Sequence, residues 1–350
     1  MKTYIFSFFF FLTFFFSLCA KTMIQEKDFL YLMGEKTKNW KYVETPSDFS
    51  SLNFYQKNYE KEKERLFQNQ EGMKFPKIIH FIWLGHKSLS KDKKSNIRSW
   101  IKKHPGWKFQ FWTDKKRKLP HSLLDTCYIQ TFFPFFRLKE FFEDTKNYVE
   151  KEALLRYEIL NAQGGVFVDV DTKCVRNIEA ISSPFHFFCS LNFPHIPIAG
   201  DSIAPSFSVI GSVSSHPILQ RCIDLIQKKW SKTAKYFPHS DKESLKYRLS
   251  YRLNQPFDEA IKEKIGERDI IFPPAFFHKM GQEVLFGERT RDFSFVRVDS
   301  TPEEIVSKKI SRLIKKIQII NWFNMCLAGM LFASFALFVF FRKKRDKTIS

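Results

Sequence analysis

The chain has 350 residues, 44% of them hydrophobic and 17% aromatic, and its 57 Lys and Arg against 37 Asp and Glu leave a formal charge of +20. That length and apolar content exclude a disordered chain and leave room for one large domain or two small ones with a full core. No nucleic-acid-binding signature accompanies the positive charge, and no Cys-x-x-Cys pair is present, so neither a nucleic-acid partner nor a zinc or thioredoxin site of that kind is expected.

Residues 1–20 read as a signal peptide or a signal anchor: one lysine, then an apolar run interrupted only by Ser7, Thr13 and Ser17. Leu18 stands where a small residue would favour cleavage after Ala20, so cleavage and retention both stay open. Residues 21–72 form a charged stem or helical lead-in, in which "NYEKEKERLFQNQEG" reads as an exposed helix stopped by Gly72.

The catalytic-sized domain, 73–287, opens with "KFPKIIHFIWLG". Its near-continuous apolar run over 78–84, bounded by Pro76 and Gly85, predicts a buried parallel strand. A helix around "SNIRSWIKKHPGW" and a second strand, "WKFQFWTD", follow, and strand, helix, strand at this spacing opens an α/β domain. Residues 87–118 hold twelve Lys or Arg and only two acids, Asp92 and Asp114. Such a surface suits anionic lipid headgroups or a phosphorylated ligand, and equally a solvated lysine-rich face.

"NYVEKEALLRYEILNAQGG" predicts a helix with Leu155, Ile159 and Ala162 on one face and Gly164 as its stop. A strand over 166–170 then carries Asp169 and Asp171 at the carboxyl end of a central strand, where open α/β sheets bind ligands. Further on, "SHPILQRCIDLIQKKW" is an amphipathic helix with Ser215 or His216 at its cap, and "RDIIFPPAFFHKMG" a late strand entering a loop. Residues 288–316 are a basic juxtamembrane segment. Residues 317–341 are uncharged and long enough to span a bilayer, and the tail 342–350 opens with "RKKRDK", which favours the cytoplasmic side. The expected location is therefore a membrane, anchored by the C-terminal helix and also by the leader if it is retained.

Two like charges at the end of a buried strand repel and lose solvation, which a shared cation would relieve. In an extended chain side chains i and i+2 point the same way, so Asp169 and Asp171 could address one divalent ion. Carboxylate-only ligation points to Mn²⁺ or Mg²⁺, whose remaining ligands would come from water and phosphate oxygens. A bare D-x-D also fits two solvated carboxylates.

In its wider setting the motif says more. "LLRYEILNAQGGVFVDVD", preceded by "KIIHFIWLG" and "PGWKFQFWTD", resembles the DXD sugar-binding-region glycosyltransferases of family 32, which include fungal mannosyltransferases and are related to clostridial toxin glucosyltransferase domains. The resemblance implies a GT-A-like α/β fold with a mainly parallel sheet. It also implies a metal-dependent, retaining transfer of a hexose from UDP- or GDP-hexose to a lipid, glycan or protein acceptor. By the same resemblance Asp171 and Asp169 would hold the metal, with Asp169 also touching the donor. Arg156 would reach the donor sugar or phosphate, Trp83 would stack on the base, and Gly164 and Gly165 would allow close backbone approach. Arg156 could instead pair with Glu152, Trp83 could be core, and His80 reads as a core histidine. Two positions depart from the family: Ala153, beside Glu152, replaces an expected Asp, and "APSFSVIGS" lacks an Asn. A non-catalytic membrane-anchored binding protein is thus one alternative. A haloacid-dehalogenase-type phosphatase is another, although Lys173 stands where that motif has Thr or Val.

Overall fold

The computed structural model describes residues 28–67, 75–197, 200–236, 242–278 and 296–298. The expected leader (1–20), span (317–341) and tail (342–350) lie outside the described residues, and of the expected juxtamembrane segment (288–316) only 296–298 are described, as a short strand rather than a free linker. Among the described residues no helix is long and apolar enough to cross a membrane.

A seven-stranded sheet organises the described chain. Its strands are β1 (Ile78–Trp83), β2 (Lys108–Thr113), β3 (Leu124–Tyr128), β4 (Gly165–Val168), β6 (Phe187–Leu191), β7 (Pro205–Ser212) and β8 (Asp269–Phe272), in the order β3-β2-β1-β4-β7-β6-β8. The pairs β3–β2, β2–β1, β1–β4 and β6–β8 are parallel, while β7 runs antiparallel to both β4 and β6. The expectation of a mainly parallel α/β sheet therefore holds, with one reversed strand inside it. β4 is central, and all four of its residues are buried. A two-stranded ribbon pairs β5 (Thr172–Cys174) with β9 (Val296–Val298).

The lead-in is not a free stem. After the short helix α1 (Phe29–Leu32), helix α2 (Pro46–Glu62) starts at a capping box in which Thr45 and Asp48 satisfy each other's backbone N–H groups. It buries Leu52, Tyr55 and Tyr59 in the common core. The helix thus begins earlier than "NYEKEKERLFQNQEG" suggested and ends at a 3₁₀ turn, Lys63–Phe67. Its apolar spacing lies in Leu52, Tyr55 and Tyr59, and the charged residues 60–65 occupy only its end.

Helix α3 (Lys91–Lys103) joins β1 to β2, and helix α6 (Tyr148–Gln163) leads into β4. The side chain of Asn147 accepts the N–H groups of Val149 and Glu150 at the start of α6. A single apolar stripe was expected along α6, but its residues from Ala153 to Leu160 are all buried and Ala162 is exposed. The reason is that α6 packs against β1, β4 and β7 and also against helix α8 (Pro217–Tyr236), so no face of its middle meets water. Gly164 (φ 64°) and Gly165 (φ 92°) make the turn from α6 into β4. A Cβ on Gly165 would lie 2.6 Å from the Ile78 carbonyl oxygen, and one on Gly164 2.8 Å from the Ser214 nitrogen. Only glycine lets the neighbouring backbones come this close. All four described cysteines, Cys127, Cys174, Cys189 and Cys222, are free thiols.

Candidate functional site

The D-x-D segment is a turn and not the end of a strand. β4 stops at Val168, and the N–H of Thr172 donates to the Asp169 carbonyl at 2.9 Å to close a tight turn over 169–172. The expected strand over 166–170 is therefore two residues too long, and strand alternation does not bring the two carboxylates together. Asp169 instead folds its side chain back so that Oδ1 accepts the Asp171 N–H at 2.9 Å, an arrangement typical of aspartate in turns. Asp171 is left half exposed.

The turn is held from one side by α3. Asn96 Nδ2 donates to the Val170 carbonyl at 3.2 Å, Trp100 Nε1 to the Thr172 carbonyl at 3.0 Å, and Ser99 Oγ accepts the Cys174 N–H at 2.8 Å. Residues 96, 99 and 100 share one helix face by their spacing, so a single helix grips successive groups of the turn and of β5. From the first turn of the same helix Lys93 reaches the Asp171 carboxylate.

From the other side α6 brings Glu152 and Arg156, one turn apart, with Arg156 Nη2 3.7 Å from Glu152 Oε1. The guanidinium lies 4.3 Å above the Phe167 ring of β4 and donates from Nη1 to the Phe207 carbonyl at 3.0 Å, while its buried Nε has no partner. Burial raises the Asp169 pKa above the ordinary carboxylate value, and the neighbouring Asp171 charge adds to the rise. Burial, then the charge of Asp169, pushes the Glu152 carboxyl up to about 8, against the pull of Arg156 and Lys93. Three carboxylates and two cations thus feel one another at the carboxyl end of the central strand.

Trp83, at the end of β1, is half-buried against the core, and its indole N–H donates to the Lys87 carbonyl at 2.8 Å. The Lys93 ammonium sits 5.2 Å from the ring centroid, which links Trp83 to Asp171. Trp83, Arg156, Asp169 and Asp171 are therefore drawn into one region. Gly165 is not: it opens β4, four residues before Asp169 and about 13 Å away along a strand. Its close approach is to β1, and that serves the sheet. His80 is a core histidine: it is fully buried, with Nε2 2.8 Å from the Gly164 carbonyl oxygen and Nδ1 accepting from Trp112 Nε1 at 3.3 Å. His216 caps α8, with Nδ1 accepting the Ile218 N–H at 3.3 Å and Nε2 3.0 Å from Asp269. Lys93 and Asn96 escaped the sequence reading, since nothing local separates them from the other polar residues of a lysine-rich helix. Glu152 was visible as the acid beside Ala153.

Could this cluster hold a divalent ion? Among the described residues no group of three His, Cys, Asp or Glu is arranged to hold one. Asp169 and Asp171 offer only hard carboxylate oxygens, and Asp171 already faces a cation. Two carboxylates alone fit only a hard ion that takes its remaining ligands from outside the protein.

Residues 90–187 match the family described as the glycosyltransferase sugar-binding region containing a DXD motif. This segment is thus similar to that family's sugar-binding region, and the α3 clamp, Glu152, Arg156 and both aspartates fall inside the match. The chain is 27% identical over 148 residues to mannosyl phosphorylinositol ceramide synthase SUR1 of Saccharomyces cerevisiae, covering 42% of this chain and 34% of that one. It is also 27% identical over 182 residues to subversion of eukaryotic traffic protein A of Legionella pneumophila, covering 48% of this chain and 27% of that one. The chain therefore spans about a third or less of the length of either relative. Among solved structures, the PaToxG glycosyltransferase is 17% identical with a TM-score of 0.44, over 65% of this chain and 80% of that one.

Proposed function

We propose that the protein is a metal-dependent glycosyltransferase with a GT-A-like site, moving a hexose from a UDP- or GDP-hexose to a membrane-borne lipid, glycan or protein acceptor. The single observation that carries this reading is the placement of Asp169 and Asp171 just past the end of β4, with the Arg156 guanidinium over Phe167 of the same strand and Glu152 beside it, inside the segment that matches the family. Mannosyl transfer to a lipid is the activity that the yeast relative's name suggests for this chain.

Asp171 and Asp169 would hold Mn²⁺ or Mg²⁺, which supplies charge neutralisation at the departing diphosphate. Arg156, permanently charged and held over the Phe167 ring, would turn its guanidinium toward donor oxygens. Trp83 offers an aromatic face to the base. Glu152 takes the place of the carboxylate that Ala153 lacks. Burial raises its pKa to about 8, and in its protonated form it can donate a hydrogen bond to a sugar hydroxyl as well as accept one. The transfer is read as retaining, and the protein as anchored in a membrane through 317–341.

The test is a hydrolysis screen of the purified protein across UDP- and GDP-hexoses, with and without Mn²⁺. Release of free sugar from at least one donor, dependent on Mn²⁺ and lost in Asp171→Asn, is expected. No turnover of any donor, with no donor binding by calorimetry, would overturn the reading.

A further inference from the structure

α3 carries three lysines in its first turn, Lys91, Lys93 and Lys94, where the helix dipole already presents positive charge and further cations are unfavourable. Helix stability does not account for that choice. Of the three, Lys93 is turned toward the D-x-D turn: its Nζ meets Asp171 Oδ1 and lies over the Trp83 ring. Its position is well set. The Lys93 backbone N–H is fixed by the Ser90 cap at 3.2 Å, Trp83 is pinned through its indole to Lys87, and the turn beneath is held by Asn96 and Trp100. Lys93 is also the more enclosed partner of the ion pair, 21% exposed against 50% for Asp171. Its field reaches Asp169 and Glu152 as well. One ammonium therefore occupies the Asp171 carboxylate where a divalent cation would otherwise bind.

We infer that Lys93 is a resident counter-ion of the D-x-D turn, which opposes entry of a lone divalent ion and then moves onto the diphosphate of an incoming nucleotide, coupling the two binding events. This rests on the reading of Asp169 and Asp171 as metal holders. A divalent ion and an ammonium on the same carboxylate repel each other. A diphosphate beside them reverses the sign for both cations, because its oxygens can accept from Nζ and coordinate the ion together. Nothing in this step makes or breaks a covalent bond. What changes is the partner of the ammonium, from Asp171 to phosphate oxygen.

The test measures Mn²⁺ binding to the purified full chain by electron paramagnetic resonance, alone and with UDP or GDP, for wild type, Lys93→Met, Lys93→Arg and Asp171→Asn. Thermal melting of each variant checks that it is folded. Wild type is expected to bind Mn²⁺ weakly alone and about tenfold more tightly with one of the two nucleotides. Lys93→Met should bind Mn²⁺ alone about five- to tenfold more tightly than wild type and lose most of the nucleotide enhancement, whereas Lys93→Arg should keep it. Equal Mn²⁺ affinities for wild type and a folded Lys93→Met, with the same nucleotide enhancement, would overturn the inference and leave the site reading intact. If wild type binds no Mn²⁺ with either nucleotide, or Asp171→Asn binds as wild type does, the site reading falls and the inference with it.

Discussion

Gly165 and His104 show how single residues outside the site are fixed by their surroundings. Gly106 and Gly165 share a left-handed backbone, at φ 82° and 92°, but a Cβ at Gly106 meets nothing within 4 Å, while one at Gly165 strikes the Ile78 carbonyl. Gly106→Ala should therefore cost only the conformational penalty, about 1 kcal/mol, and Gly165→Ala distinctly more, about 3 kcal/mol or above. Urea denaturation of the two variants checks the order. His104, at the end of α3, places Nδ1 2.9 Å from the Trp100 carbonyl oxygen and accepts the Ile178 N–H at Nε2, 3.0 Å away. With one nitrogen donating and the other accepting, the ring must stay neutral, and burial lowers its pKa from 6.5 to about 4. A lowered histidine pKa contributes stability that is present above the unfolded value of 6.5 and is lost as pH falls through 4. Between pH 7 and pH 5 the His104 share of that loss is about 2 kcal/mol. His104→Gln should begin less stable at pH 7 and lose less on acidification, and urea melts at the two pH values check it.

Helix α3 is the element that joins fold to function. The face that buries Ile97, Trp100 and Ile101 in the core also supplies Asn96, Ser99 and Trp100 to the D-x-D turn and β5. Any loosening of this helix should reach the site through the backbone groups of the turn that it holds. Trp100→Phe keeps an aromatic ring in the core but removes the hydrogen bond to Thr172 and leaves a cavity where the second ring was. A stability loss of about 2–4 kcal/mol is expected, together with weaker nucleotide binding. Calorimetry at a temperature where the variant is fully folded separates the two effects. Unchanged nucleotide affinity there would mean that the clamp serves folding alone. Helix α6 works differently: it is enclosed on all sides in its middle, and its packing on β4 sets Arg156 over Phe167 with Glu152 beside it.

At the scale of the whole described chain, the sheet has two edges, and β8 is one of them. Helix α2 covers it: Asn58 donates to the Asp269 carbonyl at 2.8 Å and accepts the Ile271 N–H at 2.9 Å, so one side chain satisfies both ladder groups of an edge strand. Tyr55 is tied to Asp258, and Tyr59 packs on Phe29 and Phe276. Deleting residues 1–67 should therefore uncover apolar surface and a bare strand edge together. We expect an aggregated product on size-exclusion chromatography, and a monodisperse, cooperatively melting fragment would refute this role for the lead-in. Much of this architecture was legible in the residues. The apolar run of β1, the strand that follows it, the Gly-stopped helix α6 and the Gly-Gly turn into β4 are local patterns, written in side-chain period and backbone permissiveness. The pair Asp169 and Asp171, the i, i+4 relation of Glu152 to Arg156 and the core character of His80 were readable on the same grounds. What only the tertiary structure decided is long-range: the reversed β7, the turn in place of a strand at Asp169, and the meeting of Lys93 with Asp171 across 78 residues of chain. The physical reason is that periodicity and turn chemistry act between near neighbours, whereas the choice of Lys93 among many lysines depends on how β1, α3 and β4 stack, and that is set by the packing of the whole core.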